Sequence, residues 1–151
     1  MIHHANILPV VYLMHNRATG LYKIGYTTRR VSERRAAIAA EYGNPFGTRI
    51  KVSIQHTIQC ESADIARSLE SSMHQICAPW QFERSEWFSY IRTLVRESFE
   101  DESRRAPWSD ADTVTLLRNA LAEVSEDNDL AVEAGRRAMA LIWFYRGRDS
   151  A

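Results

Sequence analysis

Five side chains in the first half of this chain are of types that could act together on a phosphate ester: Tyr12, Lys23, Arg34, Glu70 and His74. Hydrolysing such an ester needs a base for the attacking water, cations for the phosphorus oxygens and help for the leaving oxygen. Tyr12 sits in the run VVYLM, where a strand could hold its hydroxyl within reach of that water. A tyrosine pKa of about 10 means that it needs a neighbouring cation or metal to act as a base. Lys23, in LYKIGYT, could depress that pKa or hold the water. Arg34 offers a two-pronged donor to a non-bridging oxygen. Glu70, in ARSLESSMH, could ligate one Mg²⁺ or Mn²⁺, because a hard cation is content with one carboxylate, substrate oxygens and waters. His74, one helical turn later, could orient Glu70 or touch substrate. Taken singly, each has a plainer reading: a packing tyrosine, surface cations, and an exposed helical pair.

These residues need elements to position them. Ile7 to Met14 reads as a mostly buried strand, and HNRATG, ending at Gly20, as a turn. Leu21 to Thr27 returns as the second strand of a hairpin, with Lys23 and Gly25 on one face and Tyr22, Ile24 and Tyr26 on the other. From Val31 to Ile38 the apolar spacing is helical, and Gly43, Asn44 and Pro45 stop that helix. Ile50, Val52, Ile54, His56 and Ile58 alternate at period two, which makes His56 a core histidine on the apolar face. Ser62 caps a helix whose stripe is Ile65, Leu69, Met73 and Ile76, ended by Pro79. On it Glu70 shares a face with Ala63, Ala66, His74 and Cys77, small neighbours that leave room for a metal and a phosphate. Ser85 to Tyr90 reads as a short closing strand, with Trp80, Trp87 and Phe88 as core. A helix through Ile91, Leu94 and Val95 follows. The order β-β-α-β-α-β-α defines an α+β fold, a small mixed sheet flanked by helices.

The composition turns strongly charged near Glu97, and three segments follow: a domain over 1–98, a charged linker over 99–107 and a helical hairpin of unknown role over 108–151. The first hairpin helix is capped by Ser109 and carries Val114, Leu117 and Leu121 on one face; the second runs from Leu130 to Tyr145.

The formal net charge of zero hides a segregation. Through His56 eight basic residues face only Glu33 and Glu41, and six of the eight are arginine. Such a basic half suits a phosphate backbone. Arg29 and Arg30, before the first helix, Arg35 within it and His15 near the hairpin turn are candidate DNA contacts. The plainer readings are a solvated basic face and a turn histidine. A hydrophobic content of 45% excludes wholesale disorder. No apolar run approaches the roughly 20 residues of a membrane helix, and the N-terminus has no secretory pattern. With Cys60 and Cys77 outside any C-x-x-C pair, a zinc ribbon or disulfide scaffold is not expected and a cytoplasmic setting is.

In their order, Tyr12, Lys23-Ile24-Gly25, Arg34 and Glu70 resemble the signature of the GIY-YIG nuclease superfamily. The wording YKIGYT, then Glu70-x-x-x-His74, then Glu86-Trp87-Phe88 is similar to the phage-type branch related to a T5 open reading frame and a meiotically up-regulated yeast protein. The resemblance covers roughly residues 8 to 92. It implies a metal-dependent DNA endonuclease of phage or mobile-element character. Tyr12 would be its general base, Lys23 the electrostatic partner, Arg34 the phosphate clamp and Glu70 the ligand of a single Mg²⁺ or Mn²⁺. Lys23 stands where the family has its second tyrosine. Ile38 stands where many relatives place tyrosine or histidine, and no asparagine follows Glu70 before Tyr90. These departures leave two other readings open: a DNA-binding module without turnover, and an interaction element in which Val114, Leu117 and Leu121 pair two chains as a homodimer.

Overall fold

The computed structural model describes residues 7–41 and 52–126. His3, His4, the expected helix stop at 43–45, Ile50 and the second hairpin helix at 130–145 lie outside them. The described chain forms β1 (Val10–Asn16), β2 (Tyr22–Thr27), α1 (Val31–Glu41), β3 (Val52–Gln59), α2 (Ala63–Cys77), β4 (Trp87–Phe88), α3 (Thr93–Glu100) and α4 (Asp110–Glu126). The fold is α+β, as the element order indicated. The strands lie in the order β3-β1-β2-β4 and all pair antiparallel. Among the described residues the parallel element is the isolated bridge between Cys60 and Trp108.

The hairpin turn is closed locally. Asn16 accepts the Ala18 N–H on its side-chain oxygen at 2.9 Å, and Gly20 donates to the Asn16 carbonyl at 2.8 Å. Gly20 takes φ +75°, a left-handed backbone that glycine adopts without Cβ strain.

Each sheet face carries its own core. On one, Val11, Leu13, Ile24 and Ile58 pack against Leu69 and Met73 of α2, Val95 and Phe99 of α3, and Leu116 and Ala120 of α4. On the other, Tyr12, Met14, Leu21, Val52 and Trp87 pack with Ile38 of α1. The alternation of β1 produces this division, because successive side chains point to opposite faces.

β3 does not keep one apolar face. Its pairing with β1 shifts between Leu13 and Met14, so that Leu13 faces His56 while Met14 faces Ile54. Gln55 is the extra residue, and such a bulge turns the following side chains over. Val52 and Ile54 therefore join the α1 face, and Ile58 the other. His56 is not a core histidine: its side chain is 34% exposed and lies 3.9 Å from Glu100.

Ser62 caps α2 as its position implied, accepting the Ile65 N–H at 3.2 Å. Pro79 falls in a 3-10 turn, Ala78–Trp80, that ends the helix. The closing strand is shorter than expected, only Trp87–Phe88, because Ser85 and Glu86 belong to the turn before it.

Phe99, in the stretch read as a charged linker, is buried in the larger core, and so is Trp108 beyond it. The Trp108 N–H donates to the Gln59 carbonyl at 2.8 Å. At the start of α4, Ser109 and Asp112 bond reciprocally, the Ser109 N–H to the carboxylate at 2.9 Å and the Asp112 N–H to the hydroxyl at 3.4 Å. The buried face of α4 is Thr113, Leu116 and Ala120. Val114 and Leu121, read as its apolar face, are 46% and 67% exposed. The buried face joins Leu116 and Ala120, packed in the core, with Thr113, which accepts the buried Trp108 indole N–H at 2.8 Å.

Candidate functional site

The site begins with a pairing of two strand residues. Tyr12 and Gly25 are partners across the β1–β2 ladder, and a Cβ on Gly25 would overlap the Tyr12 ring and hydroxyl. Glycine lets the ring fold flat across β2 towards the opening between β2 and α1. That opening is a cleft of ≈ 420 Å³ lined by Tyr12, Gly25, Arg29, Arg34, Glu70 and Glu86, with Tyr26, Thr27, Thr28, Glu33 and Ala37 completing its wall. Ile38, in place of a polar residue, is fully buried and packs in the core beneath Tyr12.

Arg34 projects from the first turns of α1 and hydrogen-bonds the Tyr12 hydroxyl. Burial pushes the Tyr12 pKa up; the hydrogen bond and charge of Arg34 work against this, and the carboxylates Glu86 and Glu70 add to it. The cation expected at Tyr12 is thus supplied through Arg34. Lys23, only 1% exposed, gives its ammonium to the carboxylate of Glu86 and stands 5.8 Å from the centre of the Trp87 ring.

Glu70 comes from the helix on the opposite face of the sheet and reaches the cleft at the edge of β2. β4 pairs only with Tyr22 and Lys23, so the edge beyond them has no neighbouring strand. Side chains of α2 take its place: Glu70 accepts the Tyr26 N–H, and His74 Nε2 donates to the Ile24 carbonyl at 2.7 Å. The spacings agree, since four helical residues rise about 6 Å and two strand residues about 6.8 Å. Of the small residues on this face, Ala66 and Cys77 do not line the cleft. Ala66 and Cys77 are fully buried, and they let α2 sit close enough to β2 for both bonds to form.

Burial raises the Glu70 carboxyl to about 7, with Glu86 adding to the rise and Lys23, the Tyr26 N–H and Arg34 opposing it. His74 is held neutral, its pKa lowered chiefly by burial. Its ring packs edge-on against Phe88, and it lies 4.0 Å from Glu70. His74 is therefore a strut between helix and strand rather than part of the cleft wall. Both thiols, Cys60 and Cys77, are free and buried, and burial pushes each to about 11, which leaves them unreactive.

Of the other basic candidates, Arg29 lines the cleft, with its N–H held by the Thr27 hydroxyl at 3.0 Å. Arg30 and Arg35 are exposed outside its wall. His15 is not brought to the cleft: it stacks on Tyr22 with ring centres 4.6 Å apart, on the opposite face of the sheet. Glu86 was read only as part of the phrase EWF, yet it faces Lys23 and lines the cleft. No local periodicity marks it; a buried lysine in a strand, which demands a counter-ion, is the signal that could have found it.

The described molecule is thus an α+β domain whose sheet, edge helix and first helix converge on one polar cleft. Residues 9–104 match the T5orf172 domain, and the chain belongs to that family. Domains of this kind are common in nuclease-like and DNA-binding proteins of phages and mobile elements. No curated protein and no solved structure matches the chain. Among the described residues, no helix is long and apolar enough to cross a membrane.

Proposed function

We infer that this protein is a DNA endonuclease of the GIY-YIG type, hydrolysing phosphodiester bonds at the cleft between β2 and α1. The observation that carries this reading is the meeting of Tyr12, Arg34 and Glu70, from three separate elements, in one opening. Tyr12 orients the attacking water and takes its proton, helped by the Arg34 hydrogen bond that favours the phenolate. The forked Arg34 guanidinium faces a non-bridging phosphate oxygen, and Arg29 at the rim positions the backbone. Glu70 fits a divalent cation: its carboxylate is partly buried beside a second carboxylate, where added positive charge is favourable. One Mg²⁺ or Mn²⁺ held by Glu70 would supply charge neutralisation at the phosphate. Purified protein is expected to nick DNA with either ion, and Glu70→Ala to abolish nicking while far-ultraviolet circular dichroism is unchanged. Undiminished nicking by Glu70→Ala would sink the assignment.

A second reading, a DNA-binding module without turnover, is favoured by one observation: burial raises the Tyr12 pKa in spite of Arg34. It requires DNA binding that weakens steeply with salt and no cleavage with any divalent ion. The exposed Val114 and Leu121 of α4 support a weaker proposal of pairing between chains. Residues Trp108 and Leu116 belong to the main core, so truncation is a poor test. Val114→Ser with Leu121→Ser is the better one, and an unchanged monomeric elution of both forms removes the idea.

A further inference from the structure

Lys23 is the largest buried charged side chain among the described residues, and its surroundings explain how it survives there. It lies on the Tyr12 face of β2, directly opposite Trp87 of β4, with its ammonium 5.8 Å from the centre of that ring. An ammonium removed from water at such a place is costly unless a counter-ion meets it. Glu86, the residue before Trp87, meets it with one carboxylate oxygen while remaining 53% exposed on the cleft side.

The turn carrying Glu86 is tightly determined. Glu83 takes φ +50°, a left-handed conformation that a residue with a Cβ adopts at some cost. The turn is held by a dense set of bonds. The Phe82 N–H donates to the Trp87 carbonyl at 2.8 Å, and the Ser85 hydroxyl to the Phe82 carbonyl at 2.6 Å. The Trp87 N–H donates to the Ser85 hydroxyl oxygen at 3.1 Å, and the Gln81 side-chain amide to the Ser85 carbonyl at 2.6 Å. These bonds fix the backbone of the turn, and with it the place from which Glu86 meets Lys23.

We propose that Glu86 is a positioning residue: it lines the cleft and fixes the buried Lys23 ammonium behind the cleft wall, so that the Lys23 charge acts on the reacting phosphate from one fixed place. This deepens the endonuclease reading and rests on it for the phosphate. Glu86 acts through Lys23, and its loss should change the rate at which bound DNA reacts more than the tightness with which DNA is held.

The test uses the full chain and three variants, Glu86→Gln, Glu86→Asp and Lys23→Gln, with two readouts. The first is the lysine side-chain ¹H–¹⁵N spectrum of the metal-free protein. A buried, ion-paired ammonium exchanges slowly and gives its own resonance, assigned by its disappearance in Lys23→Gln. That resonance is expected to vanish or broaden in Glu86→Gln and to persist in Glu86→Asp. The second is cleavage kinetics, where Glu86→Gln should lower kcat on the order of 10–100-fold with KM little changed, and Glu86→Asp should recover part of the loss. An unaltered Lys23 resonance in Glu86→Gln, or a wild-type kcat in that variant, overturns the proposal. If the wild-type chain cuts no DNA, the endonuclease reading fails by itself, and the spectrum alone decides whether Glu86 fixes Lys23.

Discussion

Tyr12 lies across Gly25, its partner in the β1–β2 ladder, in space that any β-carbon would take. A glycine inside a strand weakens it by about 0.5–1 kcal/mol relative to alanine, so its presence here reflects what must lie over it. Gly25→Ala is expected to turn the phenol out of the cleft, lowering kcat on the order of 100-fold and stability by about 1–3 kcal/mol. Cleavage assays beside urea unfolding would separate the two effects. Wild-type turnover in this variant would mean that the position of Tyr12 is immaterial.

Arg34 opposes the burial that raises the Tyr12 pKa. Arg34→Ala should therefore raise that pKa further, and its turnover should fall about 10²–10³-fold. Ultraviolet titration, taking the difference from the same variant with Tyr12→Phe, reads the phenol directly. Arg34→Lys should keep the charge but not the fork, and fall between.

Glu70 gives a pH dependence of unusual sign. Its folded carboxyl titrates at about 7 against an ordinary 4.5, so the folded chain holds this proton more tightly than the unfolded one. Stability contributed by the protonated form is present below about pH 4.5 and is lost as pH rises towards 7. The metal-free protein should lose on the order of 1–3 kcal/mol across that window. Glu70→Gln should flatten the curve, and Mg²⁺ or Mn²⁺ should restore the loss at pH 8 in the native chain alone. Urea unfolding from pH 5 to 8 measures all three; a flat native curve would contradict the buried setting of Glu70.

The rotation of α4 is testable without any function. Leu116→Ala should cost about 2–4 kcal/mol and Leu121→Ala less than about 0.5. Thr113→Val should cost about 1–3 kcal/mol, because it strands the Trp108 indole N–H. Equal costs for Leu116 and Leu121 would place the buried face elsewhere.

The elements that follow from local chemistry were legible in the sequence. The hairpin is written in its turn residues, α1 in its helical spacing and α2 in Ser62 and its apolar stripe. What could not be read depends on partners distant in the chain. The bulge at Gln55 obeys the register of β1, and nothing in the alternation of β3 announces it. The buried face of α4 is set by its meeting with Trp108 and the distant core, where Leu116 and Ala120 pack and Thr113 accepts the indole N–H. Tyr12, Arg34 and Glu70 could be named because the family phrase carries them, and the structure brings them to one cleft. The same phrase holds His74, but not its task, which only the open edge of β2 reveals. Glu86 escaped because its meaning comes from Lys23, 63 residues away.

The short β4 has a consequence for how copies of this protein avoid one another. A strand edge with unspent N–H and C=O groups is a template on which another chain can build. Glu70 and His74 occupy that template at Tyr26 and Ile24, leaving no room for an incoming strand to register there. Removing both side chains would uncover it. Self-association and fibril growth, rather than unfolding, would then be the failure to look for.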